Sequence, residues 1–429
     1  MIDFKSYMLR NFKDIPQMEK LNAQQQHDIE VVGNVLPFRT NKYVVDELID
    51  WDNFENDPFF ILTFPQRKML DNVQYMEVSD AIRRGLPRNE LNSIVDRIRL
   101  TLNPNPNKQD ANVPTLNGEN LRGLQHKYNE TVLCFPSQGQ TCHAYCTFCF
   151  RWPQFTMQEF KFSMRDPNML IEYLKQNKQL TDVLFTGGDP MTMTAEILDR
   201  YFELLLANRS ELGHIQNIRI GTKVLSYWPY RFTEDADAGV LLKSFEKMIN
   251  AGFTVNVMAH FNHPRALKTK AVRQAISKLR STGVTIRTQS PIMTNINDKA
   301  VIWSEMWKMQ VNLGLIPYYM FIARDTGAQD YFSLSLDKAH DIFAEAYSNV
   351  SGLARTVRGP SMSCKWGKIC IKGKAEVNGE KVFVLEFLQG RSKDWVGRPF
   401  FAKYNTDAVW INDLRPAFGE EKFFFEELK

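Results

Sequence analysis

The chain has 429 residues, of which 44% are hydrophobic and 24% charged, with 30 Phe to fill a core; these proportions fit an ordinary folded protein and exclude a disordered or collagen-like one. Its 53 basic and 49 acidic side chains leave a net charge of only +4, too balanced for a surface built to hold nucleic acid or an anionic membrane. The longest apolar runs, such as 59–62, are too short to span a bilayer, and residues 1–14 lack the apolar core of a secretory signal, so a cytoplasmic location is expected, with neither membrane nor nucleic acid as partner.

In chain order, three regions are expected. Residues 1–115 read as a helical N-terminal cap domain and linker: VVDELIDWDNF (44–54) and SDAIRRGLPRNELNSIVDRIRL (79–100) carry helical polar–apolar patterns. The stretch 101–120, TLNPNPNKQDANVPTLNGEN, is too rich in Pro, Asn and Gly to sustain either period and reads as the linker.

Residues 116–330 alternate short apolar runs with longer helical stretches. Six strands are predicted, at 131–135, 182–187, 217–222, 253–260, 284–289 and 317–322, most of them far enough apart for a crossover helix. Repeated βα units imply a parallel sheet, and six of them predict an α/β fold of the partial TIM type, a (βα)6 barrel. Residues just past the strand ends would then line the active site: GGDP (187–190), GTK (221–223), HFNHP (260–264), QSP (289–291) and ARDTG (323–327). No internal repeat is evident.

Residues 331–429 form a C-terminal extension. Within it KAEVNGEKVFVLEFLQGR reads as a hairpin turning at Asn378-Gly379, part of a lid or of a homo-oligomer contact. The terminal FFFEELK reads as docking on a partner subunit or on the core. The basic stretch 264–280 lacks interleaved aromatics and is expected to be a solvated barrel helix.

Three of the six cysteines, Cys142, Cys146 and Cys149, crowd into C-x3-C-x2-C directly after the first predicted strand. Three thiolates fall one short of the four that close a structural zinc or a fully ligated iron–sulfur cluster, so one coordination position stays open. His143 is a poor fourth ligand because it adjoins Cys142 in sequence. Cys134 reads as strand core, and Cys364 with Cys370 are too few for a second cluster.

With Phe148 before its last cysteine, this motif resembles the signature of the radical S-adenosylmethionine enzymes. The resemblance implies a [4Fe-4S] cluster on Cys142, Cys146 and Cys149, S-adenosylmethionine on the open iron, and a reducing electron donor such as flavodoxin or ferredoxin. It also implies that Gly187, Gly188, Asp189 and Pro190 receive the methionine amino group. Across most of residues 120–370 the likeness narrows to the lysine 2,3-aminomutase branch, carried by IRIGTK (218–223), HFNHP, Gln289 with Ser290, and PYY (317–319). This places Phe148, His260 and Gln289 beside S-adenosylmethionine. It implies an isomerase that moves an amino group between neighbouring carbons of an amino acid.

That branch also uses pyridoxal 5'-phosphate on a lysine that follows a Pro and a glycine run. The comparable stretch here is GPSMSCKWGK (359–368), which makes Lys365 the candidate Schiff-base lysine and Lys368 its rival. Lys127 and Tyr128 keep phosphate-contact chemistry. Three departures stand against the pattern: Ser361 to Cys364 replace the glycines, Thr131 stands where a basic residue is expected, and two extra residues lie within PSQGQ.

Substrate class follows from charge. Arg151, two residues past Cys149, matches the arginine that grips the substrate carboxylate, a task suited to a bidentate guanidinium. Where lysine-acting members carry two aspartates for the distal ammonium, the same offsets give Arg324 and Arg358. At about 4 Å and an effective dielectric of about 20, each such contact is worth on the order of 4 kcal/mol before desolvation. An amino acid with an acidic side chain is therefore expected, unless either arginine is spent on Asp325 or Asp330. The alternative is a pyridoxal-independent enzyme on the same scaffold, performing dehydrogenation, epimerisation or peptide modification.

Overall fold

The computed structural model describes residues 2–106 and 109–426. The N-terminal part opens with a short antiparallel pair, β1 (Ser6–Met8) and β2 (Arg39–Asn41), and four helices: α1 (Ala23–Val35), α2 (Pro58–Thr63), α3 (Asn72–Arg83) and α4 (Arg88–Thr101). Capping boxes at Asn22/Gln25 and Asp71/Gln74 start α1 and α3 by satisfying free first-turn N–H groups. Asp57 starts α2, accepting from the N–H groups of Phe59 and Phe60 at 2.8 and 2.9 Å. At the end of the stretch expected as the linker, β3 (Thr115–Leu116) pairs antiparallel with β4 (Glu119–Asn120).

The six predicted strands all form. They are β6 (Thr131–Cys134), β7 (Asp182–Phe185), β8 (Asn217–Thr222), β9 (Thr254–His260), β10 (Thr285–Ile292) and β11 (Ile316–Ile322), each parallel to the next. The crossovers carry α5 (Trp152–Thr156) and α6 (Asn168–Gln176), α7 (Ala195–Ala207), α8 (Val224–Tyr227) and α9 (Ala238–Asn250), α10 (Lys270–Ser281) and α11 (Ala300–Asn312) in turn. Side-chain hydroxyls of Thr194 and Thr269 cap α7 and α10. On α10 the apolar face, Ala271, Val272, Ala275, Ile276 and Leu279, is buried, as expected of a barrel helix.

The strands that flank the six in the sheet were not foreseen. β5 (Leu124–Tyr128) pairs antiparallel with β6, and after α12 (Gln329–Phe332) and α13 (Leu336–Ser348), β12 (Arg358–Ser363) adds a seventh parallel strand beside β11. The expected hairpin is β13 (Gly367–Val377) and β14 (Glu380–Gly390), followed by β15 (Pro399–Lys403), all continuing the same sheet. The result is one open sheet of eleven strands running from β5 to β15 in chain order, a curled α/β sheet and not a closed barrel. The hairpin turns on Asn378 (φ 51°) and Gly379 (φ 78°), both in the left-handed region that a two-residue turn of this hand requires.

Alternation along the strands sets up the site. In β8, Ile218, Ile220 and Thr222 are buried while Asn217, Arg219 and Gly221 are half-buried, so alternate residues lie on opposite faces of the sheet. The hydrophobic core runs without a break from Tyr7 to Phe425. Phe425 lies 5.1 Å from Phe387, 5.3 Å from Phe400 and 4.9 Å from Trp366, ring centre to ring centre, so the terminal Phe cluster docks on the chain's own core. No helix among the described residues is long and apolar enough to cross a membrane.

Candidate active site

Cys142, Cys146 and Cys149 lie on the loop between β6 and α5, all half-buried and none in a disulfide. Burial raises the pKa of each thiol, Cys149 to about 12, and Cys142 feels both other cysteines and Asp189 as negative neighbours. Among the described residues no three His, Cys, Asp or Glu side chains converge as ligands of a single metal ion. His143 turns away from them: its ring meets Phe4 edge-on at 5.3 Å, and burial lowers its pKa to about 3.

The loop is held from two sides. N-terminal segments grip its main chain, with Tyr145 N donating to Arg39 O (2.8 Å) and Thr147 N to Leu62 O (3.0 Å), while Arg39 also donates to Thr141 Oγ1 (2.8 Å). On the barrel side the turn after β7 packs directly beneath it. A Cβ on Gly188 would lie 2.4 Å from Thr141 O, and one on Gly187 would meet the Gln140 amide at 2.2 Å. The Asp189 carboxylate points inward, accepting from Thr222 Oγ1 (2.7 Å), Lys223 N (2.9 Å) and Met191 N (2.9 Å). Burial outweighs these bonds and brings its pKa to about 6. Asp189 thus ties the turn, which continues into the short helical segment at Pro190, to the end of β8.

Phe148 and His260 stack at 5.7 Å with planes 20° apart. Lys223, which the sequence offered only as a strand-end position, connects this stack to the cysteines. Its Nζ is 3.2 Å from His260 Nδ1, donates to Asn262 Oδ1, and lies electrostatically next to Cys146. Burial then brings the Lys223 pKa down to about 8 and holds His260 neutral. Asn262 in turn donates to Ser290 Oγ (2.8 Å), and Gln289 O accepts from Phe261 N (3.3 Å). The sequence offers Lys223 and Asn262 only as strand-end positions lining the site, and it missed Tyr227, whose hydroxyl is 3.9 Å from Cys146 Sγ.

Deeper along the lumen the charges are almost all positive. Arg151 and Arg324 both lie against Phe150, each with its guanidinium carbon 4.9 Å from the ring centre. Arg151 Nη1 and Arg324 Nε are buried without a hydrogen-bond partner. Burial and then Arg324 bring the Arg151 pKa down to about 10; burial lowers that of Arg324, opposed first by Asp325. Arg358 lies over Tyr318 (4.3 Å) and Tyr319 (4.4 Å). Lys127 and Tyr128 feel Arg324, and burial lowers Lys127 to about 7.

The two lysines of the 359–368 stretch part company. Lys365 is exposed on the turn between β12 and β13, its Nζ over the Trp366 ring at 4.2 Å. The structure therefore does not bring the expected Schiff-base residue to the site. Lys368 faces inward on β13, its Nζ 4.1 Å from the Tyr319 ring centre and donating to Gln389 Oε1 (3.0 Å).

No protein-family profile matches the chain. It is 30% identical over 417 residues to a protein of Aquifex aeolicus named "Putative L-lysine 2,3-aminomutase", covering 96% of this chain and 97% of that one. The chain belongs to the lysine 2,3-aminomutase family. A glutamate 2,3-aminomutase of Clostridioides difficile is 28% identical over 213 residues, 50% of this chain and 47% of its own. An L-lysine 2,3-aminomutase of Methanococcus maripaludis is 24% identical over 357 residues, 82% of this chain and 71% of its own.

Membership makes the protein a radical S-adenosylmethionine enzyme of the aminomutase type, with a [4Fe-4S] cluster and S-adenosylmethionine as its family cofactors. The residues present fit them. In a lysine 2,3-aminomutase frame, three free thiols share one loop, glycines leave the main chain bare beside it, and the Phe148–His260 stack lies across from Cys146 with Lys223 between.

Proposed function

We propose that this enzyme is a pyridoxal-dependent 2,3-aminomutase acting on an amino acid with an acidic side chain. The observation that carries this is the pair of buried guanidiniums, Arg151 and Arg324, against one ring with unpartnered N–H groups. An unpaired buried donor is costly. Two in one place suit a carboxylate at each end of a short substrate.

In this reading Cys142, Cys146 and Cys149 hold the cluster, and Gly187 to Pro190 with Phe148, His260 and Gln289 hold S-adenosylmethionine. Reduced, the cluster and its cosubstrate supply a 5'-deoxyadenosyl radical, and pyridoxal phosphate supplies the electron sink for nitrogen migration. The chain's own residues bind, orient and exclude water. Arg151 grips the α-carboxylate, Arg324 with Arg358 sets the side-chain end, and Lys127 and Tyr128 meet the phosphate. Thr326 helps seal the mouth, accepting from Trp152 Nε1 (3.0 Å) and donating to Asn103 O (2.6 Å), which ties α5 to the segment after α4. A small-molecule amino acid and a reductant of the flavodoxin or ferredoxin class are the partners this chemistry needs.

The test is anaerobic incubation of the reconstituted enzyme with labelled glutamate, aspartate and lysine, scoring β-amino products and 5'-deoxyadenosine. Acidic substrates should be converted and lysine refused. Turnover of lysine without glutamate or aspartate would refute the substrate class. A pyridoxal-independent reaction is favoured by one observation, the exposure of Lys365, and consumption of S-adenosylmethionine without amino-group migration would select it.

A further inference from the structure

We infer that Lys368, not Lys365, is the residue to which pyridoxal phosphate is attached; the inference rests on the pyridoxal-dependent reading above and assigns its lysine. The offset from Pro360 points to Lys365, but the strands decide otherwise. β12 ends at Ser363 and β13 begins at Gly367, so Lys365 falls in the intervening turn. There its carbonyl accepts from Arg391 Nε (2.7 Å) and its side chain lies over Trp366, exposed.

Lys368 pairs across the ladder with Ser363. Its Nζ lies among the rings of Tyr319 (4.1 Å), Phe321 (5.7 Å) and Tyr128 (5.8 Å), and its hydrogen-bond partner is a neutral amide, Gln389. The charged groups that act on it are Arg219, Arg358 and Lys127, all cations. Of these Arg219 is offset by Asp182 (2.7 Å). Burial first, then those cations, holds the amine well below its ordinary pKa, which favours the unprotonated, nucleophilic form.

A buried amine set among aromatic rings and neighbouring cations suits an electrophilic carbonyl that carries its own anion, which describes a phosphorylated aldehyde. Nζ adds to the aldehyde carbon, the carbonyl oxygen leaves as water with the two amine protons, and one C=N bond replaces one C=O. No electrons change hands. Lys127, a second lysine near this end of the sheet, is instead engaged by the main-chain carbonyl of Cys364, to which it donates.

The full-length wild-type enzyme, loaded with pyridoxal phosphate, should be reduced with borohydride, digested and mapped by mass spectrometry. The phosphopyridoxyl group is expected on Lys368. The visible band of the bound cofactor should be lost in Lys368→Met and kept in Lys365→Met, with the iron–sulfur spectrum retained in both. Modification of Lys365 or Lys127 in its place overturns this assignment while leaving the pyridoxal reading intact. No modified lysine at all, in wild-type enzyme that still cleaves S-adenosylmethionine, overturns both. The mapping needs no variant, so a poorly folding Lys368→Met leaves the outcome decisive.

Discussion

Gly188 shows how little room a single position can have. A methyl group there would stand 2.4 Å from Thr141 O and 2.5 Å from Thr141 N, and both contacts are main chain, which cannot rotate away. Gly188→Ala must therefore push the cysteine loop off the turn, at a cost of about 2–3 kcal/mol. The expected outcome is a lower denaturation midpoint together with reduced iron content after reconstitution. An unchanged iron-to-protein ratio would show that the loop does not depend on this contact. At this scale the sequence was legible where the residues of a motif sit close along the chain. The cysteines, the Gly187–Pro190 turn and Arg151 are local patterns. Lys365 is found by counting from Pro360, a count that cannot show that β12 ends before it and leaves it exposed on a turn. Lys223 and Asn262 were invisible as a pair because their contact joins the ends of different strands, β8 and β9.

Among elements, the six barrel strands were readable from runs of Val, Ile, Phe and Thr between helical stretches, and the hairpin from its Asn-Gly turn. β5 and β12 were not. LQHKY has too little apolar character, and RGPSMS contains a Pro and a Gly, so neither carries a strand pattern on its own; pairing with β6 and with β11 makes them strands. The start of α10 offers a direct check on how helices attach to the rest. Thr269 Oγ1 accepts from Val272 N (3.3 Å) and also bonds Tyr43 OH (2.9 Å), a largely buried hydroxyl from the N-terminal part. Thr269→Ala removes the cap and strands that hydroxyl, so a loss of about 2 kcal/mol is expected in urea unfolding. Thr269→Ser should recover most of it.

For the molecule as a whole, pH supplies a test of how the N-terminal part meets the barrel. His263 packs edge-on against Phe59 at 6.1 Å, and its Nδ1 accepts from Arg265 N, whose side chain pairs with the buried Asp57. Burial, then Arg265, with Lys268 adding and Glu305 opposing, lowers the His263 pKa to about 4. An imidazole that titrates near 4 when folded and near 6.5 when unfolded binds its proton in the unfolded chain first. Stability from this group is complete above about pH 6.5 and falls as the pH drops toward 4. Between about pH 7 and pH 5 the wild type should lose about 2 kcal/mol more than His263→Gln. Equal losses would remove His263 from the account.

The grip of Arg39 and Leu62 on the cysteine loop has a consequence for how the enzyme tolerates change. Both bonds run from amide to carbonyl, Tyr145 N to Arg39 O and Thr147 N to Leu62 O, and every amino acid supplies a carbonyl. Genetic drift can replace the side chains at 39 and 62 without loosening either tether; at the donor end only an imino acid takes one away. These two tethers of the cysteine loop are in this sense insured against ordinary substitution, whereas the Arg39 side-chain bond to Thr141 is not.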